Sequence, residues 1–288
     1  MRPIIVTDSC ADLYEDFYLQ NDIPWVKLNY IEDGEIHNDD GTDQAIDAFY
    51  QRMRQGAAPS TSQVSMERFF ELFQELLKSQ RPIIYIGLSV GLSSTCASAH
   101  LAREKILEED PKAAITIIDS VCVSGGLGLM IVHAVKMRDE GASYEEIVAW
   151  LQENNHKMNH FFTVSELTYL HRGGRISAAS AVIGGMLDIR PLCYVDSGGF
   201  LQVISKERGK KRLFKALLSK IEENLENPKD TIMYISHGDC LADVETMKAL
   251  ILEKLPLKTI ETGRIGSVIG SHVGPETMAI FFLGKPRL

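Results

Sequence analysis

The chain has 288 residues, 45% hydrophobic and 24% charged, the proportions of an ordinary globular protein, which excludes intrinsic disorder, collagen and coiled coil. At about 100–200 residues per domain, the length suggests one large or two medium domains with a full core. Lys and Arg total 30 against 39 Asp and Glu, and the formal charge of −9 disfavours broad, sequence-independent nucleic-acid binding.

The first half alternates strands and helices. Ile4 to Val6 reads as a buried strand ending at Thr7-Asp8-Ser9. Trp25 to Ile31 reads as a second strand, closed by an Asp33-Gly34 turn. Ile46, Phe49, Tyr50 and Met53 share a helix face, as do Phe69, Phe70, Phe73, Leu76 and Leu77 in a second helix. Pro82 to Gly87 is an apolar strand, followed by a small-residue helix from Ser94 to Glu108. Ala114 to Asp119 is the next strand, and an apolar helix runs through Leu127, Ile131 and Val135. This alternation implies a mostly parallel sheet with helices on both faces. Ligands of such sheets sit in the loops after the strands. Here those loops are Asp8-Ser9, Ser89 to Thr95 and Asp119 to Gly126, all rich in small hydroxyl residues or glycine.

Ser143 with Glu146 forms a capping box, and helical pattern persists to Asn155. The polar stretch Gln152 to Asn159 is the best boundary, dividing the chain into domains 1–157 and 158–288. The second unit begins with a strand, Phe161 to Val164. Further strands are Arg190 to Val195, Phe200 to Ile204, Thr231 to Ile235, Leu257 to Glu261 and Met278 to Leu283. Long helices span Lys210–Leu225 and Asp239–Leu255. The Asp196-Ser-Gly-Gly199 turn makes a hairpin, so this α/β domain has a mixed or antiparallel sheet.

Five cysteines (Cys10, Cys96, Cys122, Cys193 and Cys240) are widely spaced with no CxxC pair, which argues against a disulfide framework or a zinc site and for a reducing compartment. The N-terminal apolar run is too short for a signal peptide, and no apolar stretch reaches the ~18 residues that span a bilayer. A soluble, cytoplasmic protein is expected.

Gly87-Leu-Ser89-Val-Gly91 fits G-x-S-x-G after a buried strand, the upstream context of a hydrolase nucleophile elbow. Asp119 or Asp239, then His272, would complete a Ser, Asp, His order. Against it, Gly91-Leu92-Ser93 still reads as loop, no HGGG-type segment precedes the strand, and the parallel pattern stops in the second half. Ser124-Gly-Gly-Leu-Gly128 is only a loose phosphate-loop match, and close helix packing or a tight turn is the simpler reading. Arg172-Gly-Gly-Arg175 is either an anion-binding turn or a surface loop. His272 lies on a glycine-rich loop before a buried strand and is the histidine best placed to meet a carboxylate. Lys206 to Arg212 holds five basic residues, read first as the solvated start of a helix and otherwise as a landing strip for an anionic partner. No metal constellation, paired carboxylates or nucleotide motif occurs, so no cofactor is expected and binding is favoured over catalysis.

Taken in order, Asp8-Ser9, Thr61-Ser62-Gln63, Gly91-Leu-Ser-Ser-Thr95, Asp119-Ser120, Ser124 to Gly128, Tyr169 to Ser177, Ile189-Arg-Pro-Leu192, Lys206-Glu-Arg208 and Gly270-Ser-His-Val-Gly-Pro275 resemble the DegV family along nearly the whole chain. That family includes the fatty-acid-binding B subunits of bacterial fatty acid kinase. The resemblance implies two α/β domains with a long-chain fatty acid between them. It implies carboxylate contacts from Thr61, Ser93 and His272, with Ser62 and Ser94 as neighbours. It further implies a separate ATP-dependent kinase subunit that makes an acyl phosphate for phospholipid synthesis, with Arg175 and Arg208 serving kinase docking or phosphoryl transfer. On this view the chain has no catalytic site of its own, and there is room for a transient membrane contact. Three positions depart from the family pattern. Ser94 replaces the glycine of L-S-G-T, Glu207 replaces the valine of K-V-R, and Glu276 replaces the last glycine of H-x-G-P-G. The first adds a hydroxyl near the head group; the others add negative charge near the site of phosphate formation. Two other functions stay open: a serine esterase acting through Ser89, and a lipid sensor or storage protein without a kinase partner.

Overall fold

The computed structural model describes residues 2–181 and 188–287. The chain opens with β1 (Ile4–Asp8), α1 (Glu15–Gln20), β2 (Trp25–Val26), β3 (Asn29–Glu32), β4 (Glu35–Asn38) and α2 (Asp43–Arg54). It continues through β5 (Ser60–Ser62), α3 (Met66–Leu77), β6 (Ile83–Gly87), α4 (Thr95–Glu109), β7 (Ile115–Asp119), α5 (Gly125–Asp139) and α6 (Tyr144–Asn154). The second part holds β8 (Met158–Thr163), α7 (Leu167–Arg172), α8 (Ala178–Ala181), β9 (Ile189–Val195), β10 (Leu201–Arg208) and α9 (Lys210–Asn224). Then follow β11 (Ile232–Gly238), α10 (Leu241–Lys254), β12 (Thr259–Arg264), α11 (Ser267–Val273) and β13 (Thr277–Leu283).

Strands β2-β1-β6-β7 form a parallel sheet in that order. β1 and β6 are buried along their whole length; their apolar residues suit this, and the buried Thr7 and Asp8 that end β1 are hydrogen-bonded to Ile86 O and to Tyr85 Oη and Leu88 N–H. A sheet ordered β10-β9-β8-β13-β11-β12 occupies the second part. It is antiparallel except for the parallel β11–β12 pair, hence mixed. The fold is therefore α/β, with a parallel sheet in the N-terminal part and a mixed sheet in the C-terminal part. Helix α5 lies between them. Its first two residues have no side chains to hold it off: a Cβ on Gly125 would stand 2.3 Å from the Tyr234 ring, and one on Gly126 would stand 2.1 Å from His160 Nε2. The Ser124–Gly128 glycines thus serve close packing.

Several expected elements differ. The single strand expected at Trp25–Ile31 is two. β2 pairs with β1, whereas β3 turns away into a small antiparallel sheet, β4-β3-β5. Leu28 marks the break; its N–H donates to Ser9 Oγ, 3.1 Å, and its side chain is buried. β4 and β5 are short and polar, so they show no alternation to read. The strand expected from Phe161 starts earlier, at Met158, and includes Asn159. That amide reads as linker but is buried, donating to Lys157 O and Lys285 O. β10 runs to Arg208, so Lys206, Glu207 and Arg208 lie on an edge strand and not at a helix start. After Arg175 comes the short α8, and residues 182–187 lie outside the described residues.

Two sets of bonds join the parts. Buried Arg287 donates from Nη2 to Val121 O, 2.9 Å, and Asn155 O, 2.8 Å, and from Nη1 to Val195 O, 3.4 Å. The small sheet and α2 are tied to the C-terminal part by Tyr50 Oη to Ile265 O, 3.1 Å, by Arg264 to Asp47, 2.7 Å, and by an Arg54–Asp239 ion pair. Among the described residues, no helix is long and apolar enough to cross a membrane.

Candidate functional site

Between the ends of the parallel strands and the face of the mixed sheet lies a cavity of ≈ 460 Å³, within the usual range for small-molecule sites. One end is polar. Thr61, Ser62, Ser93, Ser94, Arg175 and His272 all line it, so six of the seven expected site residues come together. Arg208 does not line the cavity; it is exposed at the end of β10, opposite Ile189.

His272 reaches the site from α11, not from a loop. The glycine-rich sequence hides a short helix that must pack closely. A Cβ on Gly270 would stand 2.8 Å from Phe49 Cε1 and Tyr50 Oη. The N-terminus of α11 is held by two buried carboxylates: Gly266 N–H donates to Asp12 Oδ1 and Ser267 N–H to Asp39 Oδ1, both 2.9 Å. Burial raises both acids, Asp39 to about 6.

β5 brings Thr61 to α11, where Thr61 Oγ1 and His272 Nε2 are 2.8 Å apart. Burial, and then the charges of Arg175 and Arg172, lower the His272 pKa from 6.5 to about 4. The ring is therefore neutral at pH 7. With its proton on Nε2, it donates to Thr61 and leaves the Thr61 hydroxyl proton free to point into the cavity. Ser93 has a parallel arrangement. Val64 N–H donates to Thr95 Oγ1, 3.4 Å, and Thr95 Oγ1 lies 3.0 Å from Ser93 Oγ, which also accepts Thr95 N–H. With the Thr95 proton directed at Ser93, the Ser93 proton is free for a ligand. In that proton arrangement two hydroxyls converge with their protons available to a ligand, each backed by a neutral group.

Arg175 is half-buried, and its donors are used locally. Nε and Nη2 reach Leu92 O at 3.0 and 2.8 Å, and Nη1 donates to Gly173 O. It fixes the loop that presents Ser93. Ser94 is the exposed N-cap of α4 and its side chain makes no capping bond.

The rest of the lining is mainly apolar and includes Leu28, Leu88, Val123, Phe162, Val268 and Phe281. His160 and Ser124 also line it. His160 Nδ1 donates to Met158 O, 2.8 Å, and Nε2 accepts Val123 N–H, 3.3 Å. Ser124 Oγ donates to Asp12 Oδ2, 2.5 Å. Both polar side chains are committed to protein partners. The loop bearing Val123 and Ser124 is strained: Val121 and Ser124 have φ of 54° and 53°, and a β-branched residue is seldom found there. Arg287, on Val121 O, helps hold it.

Ser89, the elbow candidate, is fully buried. Its hydroxyl donates to Gly199 O, 3.2 Å, and accepts Gly91 N–H. No base activates it among the described residues. Sequence reasoning missed His160, and it gave no separate role to Thr95 and Leu170 within the motifs that contain them. His160 alternates with Phe162 along β8, and that shared face was the available signal. All five cysteines are free, and no group of three or more metal-ligating side chains occurs among the described residues.

Residues 4–285 match the profile described as "Uncharacterised protein, DegV family". The chain belongs to the DegV family. A DegV domain-containing protein of Clostridium perfringens is 41% identical over 285 residues, covering 99% of this chain and 98% of its own. Among solved structures, a DegV lipid-binding protein from Thermotoga maritima aligns with TM-score 0.88 at 28% identity, covering 100% of both chains. A fatty-acid-binding DegV protein from Thermus thermophilus aligns at 0.89 and 29%, covering 99% of this chain and 100% of its own. A stearic acid-binding protein from Eubacterium ventriosum aligns at 0.85 and 26%, covering 98% of each. The two α/β units are thus those of the DegV fold.

Proposed function

We propose that this DegV protein binds one long-chain fatty acid, its tail in the apolar cavity and its carboxylate between Thr61, Ser93 and His272, with Ser62 and Ser94 alongside. The supporting observation is the cavity itself, mainly apolar in its lining and ending on the hydroxyls of Thr61 and Ser93. Burying ~14 methylenes is worth ~11 kcal/mol gross at ~0.8 kcal/mol each, reduced by the costs of association. A buried carboxylate is stable only if its oxygens are hydrogen-bonded. Hydroxyls of Thr61 and Ser93 meet that need, and the relatives of known structure that bind fatty acids support the reading. The units 1–157 and 158–288 each supply one side of the site.

The second part of the proposal is that the carboxylate is presented to a separate ATP-dependent kinase subunit, whose acyl phosphate product enters phospholipid synthesis in the cytoplasm. Arg208 is exposed and suits docking; Arg175 suits positioning of the head group. Two departures from the family pattern are milder than their charge suggests. Glu276 is paired with Arg190, 3.0 Å, and Glu207 accepts from Ser205 Oγ, 2.8 Å.

Equilibrium titration with palmitate and oleate tests the first part: saturable uptake of one acid per chain is expected, and no uptake of either overturns it. Adding ATP and the cognate kinase tests the second. Acyl phosphate is expected; its absence with acid bound returns the sensor or storage reading.

A further inference from the structure

We infer that the row formed by His160, Phe281 and Val195 is the floor of the acyl cavity and sets the longest chain this protein accepts. The inference rests on the fatty-acid reading above and names the residues that decide its chain length.

Strand register gives the order along the cavity. Thr277 lies at the head end, its Oγ1 bonded to Val273 O and Gly274 O, next to His272. Two residues on, Ala279 pairs with Phe162; two further on, Phe281 pairs with His160. Val195 lies one step beyond the Phe161–Tyr194 pair, in the same row. Thr277, Phe162, Ala279, His160 and Phe281 line the cavity. The next residues on that face, Met158 and Leu283, do not. The lining therefore stops at the His160–Phe281 row, about 14 Å along the strand from Thr277.

That row cannot retreat. His160 is pinned at both nitrogens, to Met158 O and to Val123 N–H, and its ring meets Phe281 edge-on with centroids 5.2 Å apart. Behind them stands α5, whose first turn comes so close that a Cβ on Gly125 would stand 2.9 Å from Phe281 Cδ2. Close-packed backbone behind a pinned ring gives a hard stop. The floor also offers no free polar group. With both imidazole nitrogens used, and the ring held neutral by burial, the chain end it suits is a methyl group and not a terminal hydroxyl.

The test offers an equimolar mixture of saturated acids from laurate to arachidate and reads the bound species by native mass spectrometry. Phe281→Ala is expected to move the preferred acid upward by about two carbons or more, by opening the floor. Ala279→Leu, one row nearer the head, is expected to move it downward. Because Phe281→Ala lies in the core and could fail to fold, Ala279→Leu alone suffices as a test. An unchanged profile in either folded variant overturns the floor. A wild-type protein that takes up no acid at all overturns the fatty-acid reading instead, so the two failures are distinguishable.

Discussion

The two ends of the cavity are built in opposite ways. Its polar end is assembled from β5, the loop before α4, the turn after α7 and helix α11. These elements lie far apart in sequence, and each contributes one or two small polar groups. At the apolar end the sheet wall is a set of adjacent positions on neighbouring strands, β8, β9 and β13, buttressed by one helix. The first arrangement is chemically specific and depends on tertiary placement. The second is generic in chemistry and rigid by packing. Head variants are therefore expected to change affinity for the charged group, and floor variants to change stability or chain length.

The largest effect is expected at the head. Thr61→Ala combined with Ser93→Ala removes two hydrogen bonds to a charged group, each worth about 1.5–3 kcal/mol. Palmitate affinity should fall by about 10²–10⁴-fold, while binding of the methyl ester of palmitate changes far less. An equal loss for both ligands would erase the distinction between the ends.

Next comes pH. The folded pKa of His272 lies near 4, against 6.5 for the free side chain. A base whose pKa is lowered by folding contributes its full stability above pH 6.5, and loses it as pH falls from 6.5 toward 4. The difference is about 3 kcal/mol. His160 acts in the same direction. Asp39, raised to about 6, acts in the opposite sense, since its stability declines as pH rises from 3.8 through 6. Denaturant melts of wild type and His272→Asn across pH 4–7 isolate the His272 part. The stability gap between the two proteins should change by that amount across the window, and a constant gap would contradict the assignment.

At the floor, Gly126→Ala places a methyl group against the pinned His160 ring. Overpacking of this kind costs about 1–3 kcal/mol, visible as a lower Tm. Preference for the acid over its methyl ester should persist. The smallest effect is expected at Ser94, which is exposed and makes no capping bond. Ser94→Gly should shift stability by only a few tenths of a kcal/mol, read as a change in the denaturant midpoint.

The same contrast explains what could be read from the sequence. Apolar runs such as Ile83–Gly87 and the face Ile46, Phe49, Tyr50, Met53 announce their elements, because burial imposes a period. Thr61 lies on a three-residue polar strand with no period, and His272 lies on a helix whose glycines read as loop. Neither placement follows from local pattern; His272 stood out by its glycine-rich surroundings, whereas the order of motifs along the chain was needed to single out Thr61. His160 was invisible for another reason. A lone histidine on an apolar strand face reads as structural, and its bonds show that it is, although it also bounds the cavity. The roles of Arg175 and Glu276 depended on partners distant in sequence, Leu92 O and Arg190.

Native mass spectrometry of the protein as purified, followed by the same measurement after denaturation, tests the central claim most directly. A complex heavier than the chain by one long-chain fatty acid, with that mass lost on denaturation, is the predicted result. A protein that is empty as purified, and remains empty after incubation with palmitate and oleate, would contradict it.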